Sequence, residues 1–215
     1  MAEQVLDKTL NAFLDELASG SPTPGGGSVA ALSGAMAAGL LTMVCDLTIG
    51  RTQYADFEED AKVLRARAET LRTELQQLVQ ADVDVFNRFS AAYKLPRTTE
   101  ADAASRRAAI QTVAKQATEV PLRTARTAVA LLALCAPLAR HGNRMAVSDV
   151  GVAVLLIQAA VPSALLNVGI NLNMLEDQMF TRQVRAQIED LTMGLDEEAR
   201  GILAIVGERM RENGK

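Results

Sequence analysis

The chain has 215 residues, 49% of them apolar but only 3% aromatic, with no Trp and a formal net charge of −4. That length holds one domain with a substantial core, and a core without aromatic bulk must be filled by Ala, Leu, Val and Met, which favours close-packed helices over a sheet. The acidic balance gives no electrostatic reason to expect nucleic-acid binding, and two isolated cysteines (Cys45, Cys135) with a single histidine argue against a structural zinc site or a disulfide framework.

The first residues, Met-Ala-Glu-Gln-Val, carry no basic segment ahead of an apolar run, so no signal peptide and a cytoplasmic location are expected. Apolar residues at helical spacing (Val5, Leu6, Leu10, Phe13, Leu14, Leu17) predict an amphipathic helix over about 3–19, ending near Gly20. A second helix runs from Ser28 to about Gly50, a third over roughly 54–92 and a fourth from about 100 to 140, with a kink expected at Pro121. His141-Gly142-Asn143 forms a connector, with His141 read as part of a helix C-terminus. A fifth helix begins at Ser148-Asp149 and continues to about Asn173, kinked at Pro162. One or two shorter helices follow, the last starting near Leu195-Asp196. No linker-like stretch divides the chain. The expectation is an all-α, up-and-down bundle of long helices in a single domain.

Two runs invite comparison with membrane spans. Val29–Cys45 is uncharged but rich in Ala and Gly, and Val150–Val161 is about a dozen residues long, short of the roughly 20 that a span needs. Helices apolar all round are buried in protein or in lipid. The small residues here point to tight protein packing, with no membrane partner and a homodimer as the expected assembly.

Before the second helix stands Ser21-Pro22-Thr23-Pro24-Gly25-Gly26-Gly27-Ser28. Prolines keep such a segment extended, glycines let it approach a partner closely, and a helix start leaves unpaired N–H groups at the positive end of the dipole. It is either an anion-binding loop or a turn that lets helices pack closely. No Gly-Lys-Ser/Thr follows, so it is not a nucleotide phosphate loop.

The third helix carries the sharpest anomaly. Its apolar seam runs Leu64, Ala68, Leu71, Leu75, Leu78, Asp82, Val85, Phe89. A carboxylate inside a buried seam is costly unless paired or neutral. Asp82 is therefore a structural partner (a buried salt bridge, or a cap on another helix) or a proton carrier whose pKa is raised by desolvation. Asp84, about 200° further round, is expected in solvent. Asp149 follows Ser148 at a helix start, where both suit capping. Asn167 and Asn171, one turn apart, share a face and serve helix–helix bonding or ligand recognition. Lys94 and Arg97 flank Leu-Pro at the end of the third helix, where cations are favourable. Ser28 has no histidine partner in its sequence context.

The stretch SPTPGGGSVAALSGAMAAGLLTMV (21–44) closely resembles the opening signature of the cyclodeaminase/cyclohydrolase family, and the resemblance continues through ADVDVFNRFSAAYKLPR (81–97), GNRMAVSDVGVAV (142–154) and NVGINL (167–172). It implies a folate substrate and either methenyltetrahydrofolate hydrolysis or formiminotetrahydrofolate cyclodeamination, without metal or redox cofactor. With no transferase domain in these 215 residues, the cyclohydrolase is favoured. The resemblance implies Asp82 and Asp149 as catalytic residues. Pro24, Gly25, Gly26, Gly27, Ser28, Lys94, Arg97, Ser148, Asn167 and Asn171 would be substrate-binding, the two basic residues suiting a folate glutamate tail. Asp149 and Asn167 are 18 residues apart, roughly 27 Å in a straight helix, so the site would draw on two subunits unless Pro162 bends the helix sharply. A non-catalytic helical scaffold, or a folate binder without turnover, is the remaining alternative.

Overall fold

The computed structural model describes residues 4–212, and every regular element among them is helical. Val5–Asp7 forms a 3-10 turn and α1 spans Leu10–Leu17, so the one helix expected over 3–19 is broken (residue 3 lies outside the described residues). Thr9 is the reason: its backbone is extended and its side chain accepts a hydrogen bond from the Ala12 N–H, which starts a new helix. Val5 and Phe13 bury the expected apolar face, whereas Leu6, Leu10 and Leu14 stay exposed.

The body consists of α2 (Gly26–Thr48), α3 (Glu58–Tyr93), α4 (Glu100–His141) and α5 (Val147–Leu172), followed by α6 (Gln178–Thr192) and α7 (Leu195–Glu212). Cross-helix contacts give their directions. Ser28, Gly34 and Asp46 of α2 meet Asp82, Leu75 and Arg65 of α3 in reverse order, so the two run antiparallel. Glu74 of α3 pairs with Arg123 of α4, and Arg106 of α4 donates to the Tyr93 carbonyl of α3, again in reverse order. Asn171 of α5 reaches Ala117 of α4, while Asn143, just before α5, donates to Thr48 and Leu47 at the far end of α2. The result is the expected up-and-down bundle. Helix α7 closes one side: Val206 packs at Gly151, and Arg209 donates to the carbonyls of Ala139 and Gly142.

The core is built of Ala, Leu and Val, with Phe13 and Phe57 its buried aromatics. Small residues on α2 allow close approach: a Cβ on Gly34 would lie 3.0 Å from Leu75 Cδ2. A capping box of Thr99 and Asp102 starts α4. Pro121, Pro137 and Pro162 all lie inside continuous helices, so none ends its element. At α5 the helix starts one residue earlier than expected. Ala146 is the N-cap and contributes no side-chain bond, which leaves Ser148 exposed inside the first turn rather than capping it.

Among the described residues three helices, Gly26–Thr48, Glu100–His141 and Arg144–Leu172, are long and apolar enough to cross a membrane. The apolar run counted as too short at Pro162 continues through that proline. In the third of these helices only 39% of the most apolar stretch is buried. The unburied remainder forms a stripe on α5 (Val152, Leu155, Leu166, Ile170), and α2 carries another (Met36, Met43, Leu47).

Candidate active site

At its start α2 has three N–H groups outside the helical ladder, on Gly26, Gly27 and Ser28, because the first intrahelical bond comes from Val29 to Gly25. Gly25 is the N-cap and has no side chain to offer them. Asp82 supplies the missing acceptor from α3. Its Oδ2 accepts a hydrogen bond from Ser28 Oγ at 2.8 Å, and the Ser28 N–H also points at the carboxylate. The carboxyl lies so close to α2 that a Cβ on Gly27 would stand 2.1 Å from Oδ1.

Desolvation is the largest influence on Asp82 and pushes its pKa above the ordinary carboxylate value; the Ser28 hydroxyl and N–H oppose it without cancelling it. The capping role and the raised pKa foreseen as alternatives for this residue therefore coexist. Asp84 is exposed, as expected, and accepts a bond from Gln80 Nε2.

Helix α5 brings one more polar group to the same place. A Cβ on Gly26 would lie 3.7 Å from Asn167 Nδ2. That amide donates to the Ser163 carbonyl of its own helix, at 2.9 Å, so its carbonyl oxygen is the end left for another donor. Gly26, Gly27, Ser28, Asp82 and Asn167 thus converge where α2 starts, with Pro24 buried and Gly25 half-buried just ahead of them.

The remaining residues fall elsewhere. Asn171 commits its amide nitrogen to the Ala117 carbonyl of α4 at 2.6 Å, the helix–helix role. Lys94 and Arg97 are exposed beyond the end of α3, at the same end of the bundle; Lys94 is 12 residues from Asp82, about 18 Å along the axis. Ser148 and Asp149 start α5 beside the far end of α2, which is about 34 Å long. Within one chain they do not reach Asp82, and Pro162 does not fold α5 back. His141, at the same far end, packs on Phe57 with ring centroids 5.3 Å apart.

The profile of the formiminotransferase-cyclodeaminase family matches residues 9–190. The chain belongs to this family.

Among its relatives is a methenyltetrahydrofolate cyclohydrolase from Methylorubrum extorquens, 43% identical over 185 residues, an alignment covering 86% of this chain and 89% of that one. The formimidoyltransferase-cyclodeaminase of Sus scrofa is 36% identical over 97% of this chain, which spans 38% of that longer protein. The solved formiminotetrahydrofolate cyclodeaminase of Thermotoga maritima superposes with a TM-score of 0.79 at 28% identity, covering 99% of this chain and all of the other. In this cyclodeaminase-family chain one further feature escaped the sequence reading. Two turns beyond Asp82, Phe89 packs against Tyr93 with centroids 4.9 Å apart, and the Arg106 guanidinium lies 5.1 Å over the Tyr93 ring. The i, i+4 spacing of Phe89 and Tyr93 was visible; the arginine arrives from another helix. Among the described residues no group of three His, Cys, Asp or Glu side chains comes together as metal ligands.

Proposed function

We propose that this chain hydrolyses 5,10-methenyltetrahydrofolate to 10-formyltetrahydrofolate, with Asp82 as the proton carrier. The observation that carries the reading is a desolvated carboxylate of raised pKa held against the open start of a helix, in a chain 43% identical to a protein named for that activity. The carbon bridging N5 and N10 belongs to a cationic amidinium and is already electrophilic. As water adds to it, Asp82 takes one proton from the water. The C–N5 bond then breaks as Asp82 returns that proton to N5, the new hydroxyl loses its proton to solvent, and the N10-formyl group is left. As an anion, Asp82 also stabilises the cationic substrate.

The Gly26 and Gly27 N–H groups and the Asn167 amide supply donors and an acceptor for the folate. Phe89 and Tyr93 offer aromatic surface, and Lys94 and Arg97 suit its anionic glutamate tail. The reading calls on no metal or redox cofactor and on a cytoplasmic location.

A homodimer belongs to the same proposal. The stripes on α2 and α5 leave large apolar side chains in water along the bundle, which a second copy would cover. A two-fold axis perpendicular to the middle of α5 would set the partner's Ser148 and Asp149 opposite Asn171 and Ile170, about one turn from Asn167. That arrangement would reunite two separated groups of the predicted site.

The test is the ultraviolet absorbance of methenyltetrahydrofolate with wild-type protein and with Asp82→Asn. The methenyl band should decay with the wild type and, with the variant, at a rate slower by about 100-fold or more. A band that is stable in both sinks the cyclohydrolase. Cyclodeamination is the second reading, favoured by the Thermotoga structure and the vertebrate relatives. There Asp82 would protonate departing ammonia, and ammonia release from formiminotetrahydrofolate detects it.

A further inference from the structure

Ser28 is fully buried, and its one hydroxyl proton faces two acceptors: Asp82 Oδ2 at 2.8 Å and the Val79 backbone carbonyl at 3.3 Å. The second acceptor belongs to α3 and is there whatever the charge on Asp82. We propose that Ser28 is a positioning residue for Asp82 rather than a substrate ligand, its hydroxyl turning between these two acceptors as the carboxyl gains and loses a proton. The proposal rests on Asp82 as the proton carrier.

With the carboxylate charged, the hydroxyl donates to Oδ2. With the carboxyl neutral, its O–H donates to Ser28 Oγ, and the serine proton turns to the Val79 carbonyl. Apart from the carboxyl's own O–H, no covalent bond changes, and the buried Ser28 hydroxyl keeps an acceptor in either state, so the change of charge leaves no orphaned donor behind. A side chain without the hydroxyl leaves only the Ser28 N–H to support the charged form, which shifts the balance toward the neutral one. Gly27 holds the geometry, because its missing side chain is what lets the carboxyl sit within reach of Ser28.

Among the described residues no other charge acts on this carboxyl. From α2 the carboxyl meets Gly27 and Ser28, both uncharged, and from α5 the nearest polar group is the Asn167 amide. On its own helix, Asp84 is turned to Gln80 and Arg88 is exposed; on α4, Lys115 is paired with Asp177 and Glu119 stands one turn further along. Asp46 and Asp149 belong to the far end of the bundle. Burial and Ser28 are the influences on the group.

The test follows Asp82 itself as well as the reaction. In protein labelled with carbon-13 at the Asp carboxyl, the Asp82 signal is assigned by its loss in Asp82→Asn and titrated in wild type, Ser28→Ala and Ser28→Cys. Removing a charge-assisted hydrogen bond should move the Asp82 midpoint up by about one to two pH units in Ser28→Ala. Ser28→Cys, with its weaker donor and similar volume, should fall between the two. The acid limb of kcat/KM for methenyltetrahydrofolate should move with the carboxyl. A midpoint that stays put in both variants overturns the proposal, whatever the rates do. A midpoint that moves while the acid limb does not overturns the reading of Asp82 as the proton carrier, a different failure from the first.

Discussion

The carboxyl of Asp82 fills the space that a side chain on Gly27 would need: a Cβ there would lie 2.1 Å from Oδ1 and 2.6 Å from Cγ. Gly27 sits inside the first turn of α2, where no unusual torsion requires glycine. Its identity is set by a residue 55 positions later in the chain. Gly25 differs, since the nearest atom to its would-be Cβ is the Pro22 carbonyl oxygen at an ordinary 3.6 Å.

Gly27→Ala must therefore move either the carboxyl or the start of α2. The expected outcome is a stability loss of about 1–3 kcal/mol in urea unfolding and a fall in kcat of at least 100-fold. Gly25→Ala should stay within about 0.5 kcal/mol of wild type in the same titration. Equal tolerance at both positions would remove the contact from the account of the site.

Asp82 should weaken the fold at neutral pH. Its pKa in the folded protein is raised above the unfolded value, so folding favours the protonated form. The penalty on the charged form is full above the folded pKa and is relieved as pH falls through it toward the unfolded value. Asp82→Asn should melt at a higher temperature than wild type at pH 8, and the difference should shrink as the pH is lowered to 4. A variant that melts lower at pH 8 would mean that the Ser28 bonds outweigh desolvation.

Asn171 answers a defect made by a proline. Pro121 has no N–H, so the carbonyl of Ala117, four residues earlier, lacks its helical partner, and Asn171 Nδ2 donates to it from α5. Asn171→Ala should lower stability by about 1–3 kcal/mol. In a Pro121→Ala background, where an N–H returns, the loss should be smaller, with a coupling energy of about 0.5–3 kcal/mol in the double-mutant cycle. Additive losses would disconnect the two residues.

Much of this was legible in the sequence. The seam on α3 marked Asp82 because a carboxylate broke an apolar period, and the glycine run announced a close approach. Periodicity and breakers do not name the partner, however, so neither signal alone joined Gly27 to Asp82; the antiparallel pairing of α2 with α3 does that. Asn171 read as an equal candidate for ligand or strut because the carbonyl it serves belongs to a helix 54 residues away. The break at Thr9 was missed because a lone capping threonine looks like any polar position within an amphipathic run.

Both thiols are inert in the folded protein. Cys45 and Cys135 are fully buried, and burial pushes each thiol up to about 12. A thiol reagent such as DTNB at pH 8 should label neither until denaturant is added, and then both. Rapid labelling of the native protein would contradict the packing of α2 and α4 around them.

If a second copy covers the apolar stripe on α5, assembly and turnover are tied. Val152, Leu155, Leu166 and Ile170 recur at helical spacing, and residues 150–172 contain no charge to favour water along that face. Leu155 is 55% exposed and Leu166 73%, so a lysine at either position meets no steric conflict within one chain and disturbs only what covers the stripe. Leu155→Lys with Leu166→Lys should sediment at the 23.0 kDa mass of a single chain and keep the wild-type helical content, while the wild type sediments at twice that mass. If the partner's Asp149 completes the site, methenyltetrahydrofolate turnover should fall with the dimer fraction as the variant is diluted. A fully active monomer would confine the chemistry to Asp82 and its neighbours in one chain. Wild-type protein already sedimenting as a monomer would leave the stripe to some other cover.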